Sequence, residues 1–433
     1  MHTNTRPARI APRFLASSML SLLGNSIAAV ALPLVLLATT GDALAAGTLA
    51  LICAVPQMVI GVVGGAALDR FNRRDISILS DLVSAASVAL IPLVDLLWEL
   101  NFGWFVALGL LGSIGDIPGM TARDALLPAV VARDKADLQR FMGLTQSLDS
   151  LTAIVGPAVA AFLIGTMGGV PSLWFTAAFS FAAAIVTCTV PRSVGAEGLR
   201  RADGGKADER SAIASAFGAL RTGARVLFRT DGVLTASTLL SFGIIMVMGS
   251  FQGLVLPVHF TLIGRPELLG YVLSAMSLGL LISSLGYAAL APRLSRRTWY
   301  LLSLTGMAAG VAVLGTLPEL PVMLLGAVLL GVSAGPASAL LGFFMLDRIP
   351  EQDRGSALGT QNSLVMLAAP AAVFVTSAGV AAFGESPTAY VLVACWIVIT
   401  VLAMGAKAMR RLDDAEHAIV SSERGESADP VRQ

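Results

Sequence analysis

Gly65-Ala66-Ala67-Leu68-Asp69-Arg70-Phe71-Asn72-Arg73-Arg74 ends one apolar run, and Ala291-Pro292-Arg293-Leu294-Ser295-Arg296-Arg297 ends another. Both contain an Arg-x-(Asn/Ser)-Arg-Arg core, and Arg293 follows Arg70 by 223 positions. A second echo pairs Gln146-Ser147-Leu148 with Gln361-Asn362-Ser363-Leu364. Two echoes at nearly one offset indicate a duplicated unit.

The runs between these echoes define that unit. Apolar stretches lie near residues 14–40, 43–67, 76–96, 104–126, 142–165 and 172–190. After a polar interruption they resume near 232–258, 268–290, 298–317, 321–346, 358–383 and 387–408. Each has about the 20 residues that a bilayer-crossing helix needs. The first run follows Arg6, Arg9 and Arg13 but is too long for a signal peptide. The expected fold is therefore an all-α integral membrane protein, with twelve transmembrane helices in two pseudo-symmetric six-helix bundles. Residues 1–190 and 231–410 form the bundles, 191–230 a central loop and 411–433 a tail.

Composition agrees. Of 433 residues 55% are hydrophobic and 13% charged, where soluble domains carry roughly 25% charged residues. A net charge of +1 leaves no case for a nucleic-acid partner. Cys53, Cys188 and Cys395 are scattered through apolar runs and make neither a disulfide framework nor a metal site. Gly204-Gly205-Lys206 is no phosphate loop, because Ala207 replaces the Ser or Thr. No span carries a His/Glu metal pair or a Gly-x-Ser-x-Gly elbow, so an enzyme is not expected, nor a cofactor or metal.

Basic residues set the orientation. With the N-terminus inside, 28 of the 29 Lys and Arg fall on the inner side, and only Arg265 lies outside. This predicts a multi-pass protein of the cell (inner or plasma) membrane with both termini cytoplasmic. In the central loop, Arg192 to Arg210 reads as a flexible linker. Beyond it Ile213, Phe217, Leu220, Ala224 and Leu227 recur at helical spacing, with Arg210, Arg221 and Arg225 elsewhere around the wheel. That suits either a surface helix meeting anionic lipid or an extension of the seventh span.

Gly65 to Arg74 resembles the loop signature of the major facilitator superfamily, Gly-x-Leu-Ala-Asp-Arg-x-Gly-Arg-(Arg/Lys), with Asn72 in place of its second Gly and Ala67 where Leu is frequent. Gly156-Pro157 resembles the bend element of its proton-driven antiporters, although Ala158, Val159 and Ala160 replace further glycines. Arg354-Gly355 and Thr40-Gly41 are similar to the bacterial drug, macrolide and siderophore exporter branch. The resemblance implies a monomeric secondary transporter working by alternating access. The implied activity is proton-coupled antiport exporting a moderately hydrophobic small molecule. Proton-coupled uptake of a metabolite is the alternative, with a non-transporting receptor or scaffold behind it.

Physical chemistry then assigns roles. Asp69, at a helix end, suits a gate in which its carboxylate meets the positive N-terminus of the helix starting near Ser356. Gly65, Arg70, Arg73, Arg74, Arg123 and Asp124 complete that gate region, the arginines pairing with Asp75, Asp124 or lipid phosphate. Pro292 replaces Asp69 in the second copy, so one latch is expected. Ionisable groups inside a membrane are costly and usually functional. Asp81, Asp116 and Asp149 lie roughly 8–12 Å from the inner helix ends at about 1.5 Å per residue, and they are the candidates for proton coupling. Asp149 leads, and Asp81 is also placed to partner Arg70 or Arg73. With no Lys or Arg at mid-membrane, proton exchange is expected rather than permanent ion pairing. Asn25, Gln146, Gln252 and Asn362, with Phe343 and Phe344, suit an apolar substrate cavity carrying a few amides.

Overall fold

A computed structural model of the protein describes residues 10–68, 71–135, 138–195, 209–290, 293–349 and 353–406. Among the described residues the secondary structure is helical, with no strand. The first six spans are α1 (Ala11–Thr40), α2 (Ala43–Leu68), α3 (Arg73–Leu97), α4 (Phe102–Asp134), α5 (Leu138–Met167) and α6 (Gly169–Cys188). A single turn, α7 (Arg192–Gly195), and a 21-residue helix, α8 (Glu209–Arg229), follow. The second six are α9 (Gly232–Leu262), α10 (Leu268–Leu290), α11 (Arg296–Gly315), α12 (Leu320–Arg348), α13 (Arg354–Phe383) and α14 (Glu385–Gly405). Among the described residues eleven helices are long and apolar enough to cross a membrane, and the 26-residue α2 completes the two sets of six.

The repeat extends to the way helices begin. Asn72 caps α3, its Oδ1 accepting from the Arg74 amide at 3.1 Å. Ser295 caps α11, its Oγ accepting from the Thr298 amide at 3.2 Å. The Asn/Ser position of the shared core is thus an N-cap in both copies, which satisfies an amide that a helix start leaves unpaired.

Packing divides the chain into two compact units. The first comprises Met1–Gly218, Met248–Ser274 and Met366–Thr388, and the second Ala219–Val247, Ala275–Val365 and Ala389–Gln433. These units cut across the two halves of the sequence, since α9, α10 and α13 each contribute to both.

In the first unit, α1 packs on α5 and α6, and α3 on α4 and α6. Small residues permit the approach. Gly24 lies against Ser180, and Gly119 against Ser80. The same device joins the Gly156-Pro157 stretch of α5 to α10. A Cβ at Gly270 would overlap the Pro157 carbonyl, and Ser274 Oγ donates to Ile154 O at 2.7 Å. Likewise Gly47 of α2 abuts Ser377 and Phe374 of α13. At the basic-loop end, Ile10, Phe14, Leu126, Val131, Phe141 and Val194 belong to one buried cluster. There Asp134 Oδ2 accepts from the amides of Ile10 and Ala11 at 2.7 Å each, capping the positive end of α1.

In the second unit, α11 and α12 pack closely, Gly310 lying against Leu330 and Gly326 against Val313. The central helix is separate from the seventh span and not an extension of it. Helix α8 ends at Arg229, and Asp231 starts α9 afresh by accepting from the Val233 amide at 3.0 Å. Leu227 and Val226 are buried with Leu234, Met345, Ile349 and Ala357. The linker residues 196–208 lie outside the described residues.

Candidate functional site

The site grows from the α3–α4 contact of the first unit. Gly115 and Gly119 remove side chains from the α4 surface, and α3 closes on them through Val83 and Ser80. Ser80 Oγ donates to Gly115 O at 2.8 Å. That proximity brings Arg123 of α4 onto Asp81 of α3 as an ion pair. The Asp81 side chain is 3% exposed and that of Arg123 12%. Ser21 Oγ of α1 donates to the same Asp81 oxygen at 3.0 Å. Among the described residues, Asp81 Oδ2 and Arg123 Nε are buried without a hydrogen-bond partner.

Around this pair stand three more carboxylates. Asp116 lies two turns before Arg123 on α4, beside Ser84 and within electrostatic reach of Asp81 and Arg123. Asp124 interacts with Arg123, and Asp149 of α5 interacts with Asp124. Asp116 also acts on Cys53 of α2, whose thiol meets Ser113. The three acids singled out in the sequence therefore belong to one network, Asp149–Asp124–Arg123–Asp81–Asp116. Its centre is Arg123, which the sequence reading had assigned to the gate.

Two expectations change here. Asp81 pairs with Arg123 and not with Arg73, and an ion pair does exist at the depth where none was expected. The reason is helix length, since α4 runs on to Asp134 and so places Arg123 about three turns inside the helix, beside Asp81 of α3. The loop arginines are used elsewhere. Arg73 Nη1 donates to Ala125 O of α4 at 3.1 Å. Arg74 bridges Asp75 at 2.8 Å and Cys188 O at 2.5 Å, and Arg192 holds Asp75 from the other side at 2.7 Å. Asp69 and Arg70 lie outside the described residues, and Gly65 falls in the last turn of α2.

The substrate candidates divide between the units. Asn25, Gln146 and Gln252 lie in the first, and Phe343, Phe344 and Asn362 in the second. Asn25 is half-buried in α1, next to Ser26, whose hydroxyl donates to Thr152 O at 3.1 Å. Gly156 packs against that same Ser26. Gln146 and Asn362 are exposed. Phe344 is a core side chain at 3% exposure, so its ring offers no open lining. One position along a helix is about 100° of rotation, which turns Phe344 inward while Phe343 stays exposed under Arg296, 4.6 Å from its guanidinium carbon.

Three features escaped the sequence reading. Ser21 had a signal, because Ser17, Ser18 and Ser21 recur on one buried face of α1. Asp134 had none, its partners being more than 120 residues away. The third is a π-helical turn, Phe251–Val255, which contains Gln252. Pro257 follows it and cannot donate to Gly253 O, so the hydrogen-bond ladder is interrupted. Such turns are frequent at functional sites.

Known proteins place this architecture. The Major Facilitator Superfamily model matches residues 14–264 and 239–430. The multidrug efflux pump Tap of Mycolicibacterium fortuitum is 31% identical over 396 residues, covering 90% of this chain and 94% of that protein. Macrolide efflux protein A of Streptococcus pyogenes is 34% identical over 149 residues, 34% of this chain and 36% of that protein. Among solved structures, the nucleoside transporter NupG superposes with a TM-score of 0.71 at 12% identity, covering 92% of this chain and 98% of NupG. A bacterial homologue of the iron transporter ferroportin, in an inward-facing state, gives 0.68 at 16% identity, covering 93% and 99%. The chain is a multi-pass membrane transport protein and belongs to the Major Facilitator Superfamily.

Proposed function

We propose that the protein is a proton-coupled antiporter that exports a moderately hydrophobic, neutral or cationic small molecule by alternating access. Its substrate is a drug, a natural product or a siderophore. It acts as a monomer in the cell membrane, with its basic loops and both termini in the cytoplasm. The efflux function named for its relatives supports the direction of transport.

One observation carries the coupling. Asp81 pairs with Arg123, Asp116 and Asp124 lie within electrostatic reach of the same guanidinium, and Asp149 lies within reach of Asp124. Inside a membrane protein such a surplus of negative charge is costly, and protons relieve it. Arg123 can satisfy only some of these acids at once. A helix movement that changes which acid it meets changes which others must hold a proton. By linkage, proton binding then shifts the conformational equilibrium in return. Asp149, at the exposed end of the series and two turns before Gly156-Pro157, is the proposed entry point for the proton.

The Gly156-Pro157 stretch supports a moving contact. It meets α10 through backbone, at Gly270 and Ser274, where no long side chain must be rearranged for separation. Asp69 and Arg70 are retained as gate residues on the sequence signature alone, with Arg73 and Arg74 tying that loop to α4 and α6. Asn25 and Gln252 are the proposed polar contacts for substrate.

Everted vesicles test this reading. With ethidium as probe, an exporter coupled to protons accumulates dye when the lumen is acidified and releases it when the gradient is collapsed. Accumulation driven by the opposite gradient would establish uptake by symport instead. No gradient dependence at all would remove proton coupling.

A further inference from the structure

The amphipathic helix α8 presents a face that the transport reading does not use. Arg221, Arg225 and Arg229 recur every four residues and are all exposed, with Phe228 exposed beside them. No acidic partner for these three arginines occurs among the described residues, and Asp231, the nearest acid along the chain, pairs with Arg348 at 3.4 Å. The opposite face is anchored. A Cβ at Gly223 would overlap Ser356 O and Thr360 Oγ1, so α8 lies directly on the first two turns of α13. Thr360 Oγ1 also reaches Leu220 O at 3.4 Å. Because α9 starts at Gly232, Arg229 stands within one turn of a membrane-spanning helix.

That connection puts the arginine row at headgroup depth. A cationic stripe flanked by an exposed aromatic, on a helix held at the interface, is complementary to anionic lipid. We propose that Arg221, Arg225 and Arg229 form a docking surface for anionic phospholipid headgroups, and that the bound lipid braces α8 against the start of α13. Phe228 enters the acyl boundary while the guanidiniums meet phosphate. Lipid charge thereby acts on the helix start that the sequence reading placed opposite Asp69. The surface is independent of the proton network, and its test does not require transport.

The test uses the full-length protein in detergent, titrated with dioctanoyl phosphatidylglycerol and followed by thermal unfolding. Wild type should bind this lipid with a midpoint that weakens as salt rises, and should not respond to dioctanoyl phosphatidylcholine. Each arginine near a charged interface contributes about fivefold in affinity, so the triple variant R221Q/R225Q/R229Q should bind on the order of a hundredfold more weakly. The triple lysine variant keeps the charge and should stay within about twofold of wild type. Unfolding without lipid should be the same for all three proteins, which separates lost binding from lost folding. If the triple glutamine variant binds phosphatidylglycerol as wild type does, the assignment is wrong. Equal response to phosphatidylcholine, or binding of glycerol phosphate as tight as of the lipid, would also overturn it.

Discussion

Replacing Asp81 by asparagine leaves Arg123 in place with its principal partner neutralised. The pair is buried, with side-chain exposures of 3% and 12%, so solvent does little to screen the change. Removing one member of a buried pair typically costs about 3–5 kcal/mol. Asp116 and Asp124 remain within reach of Arg123 and recover part of this, so Asp81→Asn should cost about 2–3 kcal/mol. The second half of the chain shows what the position looks like without charge. Counting 223 residues on, Leu304 stands for Asp81 and Leu346 for Arg123, and Leu304 is fully buried. The double variant D81L/R123L removes both desolvation costs together and should lie within about 1 kcal/mol of wild type. Unfolding by SDS titration, followed by tryptophan fluorescence and circular dichroism, measures both. Proton movement in proteoliposomes should be lost in the single and double variants alike. The reasoning fails if the double variant is as unstable as Asp81→Asn. The pair would then be a net source of stability, and its retention would need no functional explanation.

Other expectations follow from single contacts. Asp149→Asn should abolish ethidium-induced proton movement in proteoliposomes while gel filtration shows a folded protein, and normal coupling would remove Asp149 from the mechanism. Gly270→Leu puts a side chain into the Pro157 carbonyl and should slow ethidium efflux at least tenfold, with Gly270→Ala intermediate; wild-type rates in both would mean that this contact does not form during the cycle. Asp134→Ala removes the acceptor of two α1 amides and should lower stability by about 1–2 kcal/mol in the same SDS titration, whereas Asp134→Asn should keep most of it.

The scaffold was open to reading from the sequence because the bilayer leaves so little choice. Each span needs its run of apolar residues, and those runs are visible without any knowledge of packing. The Arg-x-(Asn/Ser)-Arg-Arg echo was visible for a similar reason, since a cap belongs at one place relative to a helix start. The partner of Asp81 was hidden because it depends on how far α3 and α4 approach and how they are rotated. Gly115 and Gly119 set that approach, yet a glycine on a membrane helix carries no sign of which neighbour it admits. Phe343 and Phe344 are named together from the sequence because hydropathy cannot tell which of two neighbours turns inward in a helix apolar all round, and the structure buries Phe344. The crossing of the compact units over the two halves was hidden too. It rests on close contacts of small residues, such as Gly47 with Ser377 and Gly270 with Pro157, which leave no periodic trace.

What the two halves share and what they do not share bears on mechanism. Structural positions survive the 223-residue offset: the caps Asn72 and Ser295, the buried serines Ser80 and Ser303, and the glycine pairs Gly112 with Gly335 and Gly119 with Gly342. The loop arginines survive it too, but the gate acid and the embedded charges do not, because Asp69, Asp81, Asp116 and Arg123 give way to Pro292, Leu304, Ala339 and Leu346. Duplication thus preserved the basic loop and the residues that let helices approach, while the Arg123 network was kept in the first half only. Energetics favours that division. A second copy of the Arg123 network would add its own desolvation cost and, under the proposed coupling, would titrate separately. With the Arg123 network confined to the first six helices, the proposed coupling requires the second six to answer to a proton through packing. The backbone contact between Pro157 and Gly270 is a natural place for that answer to begin.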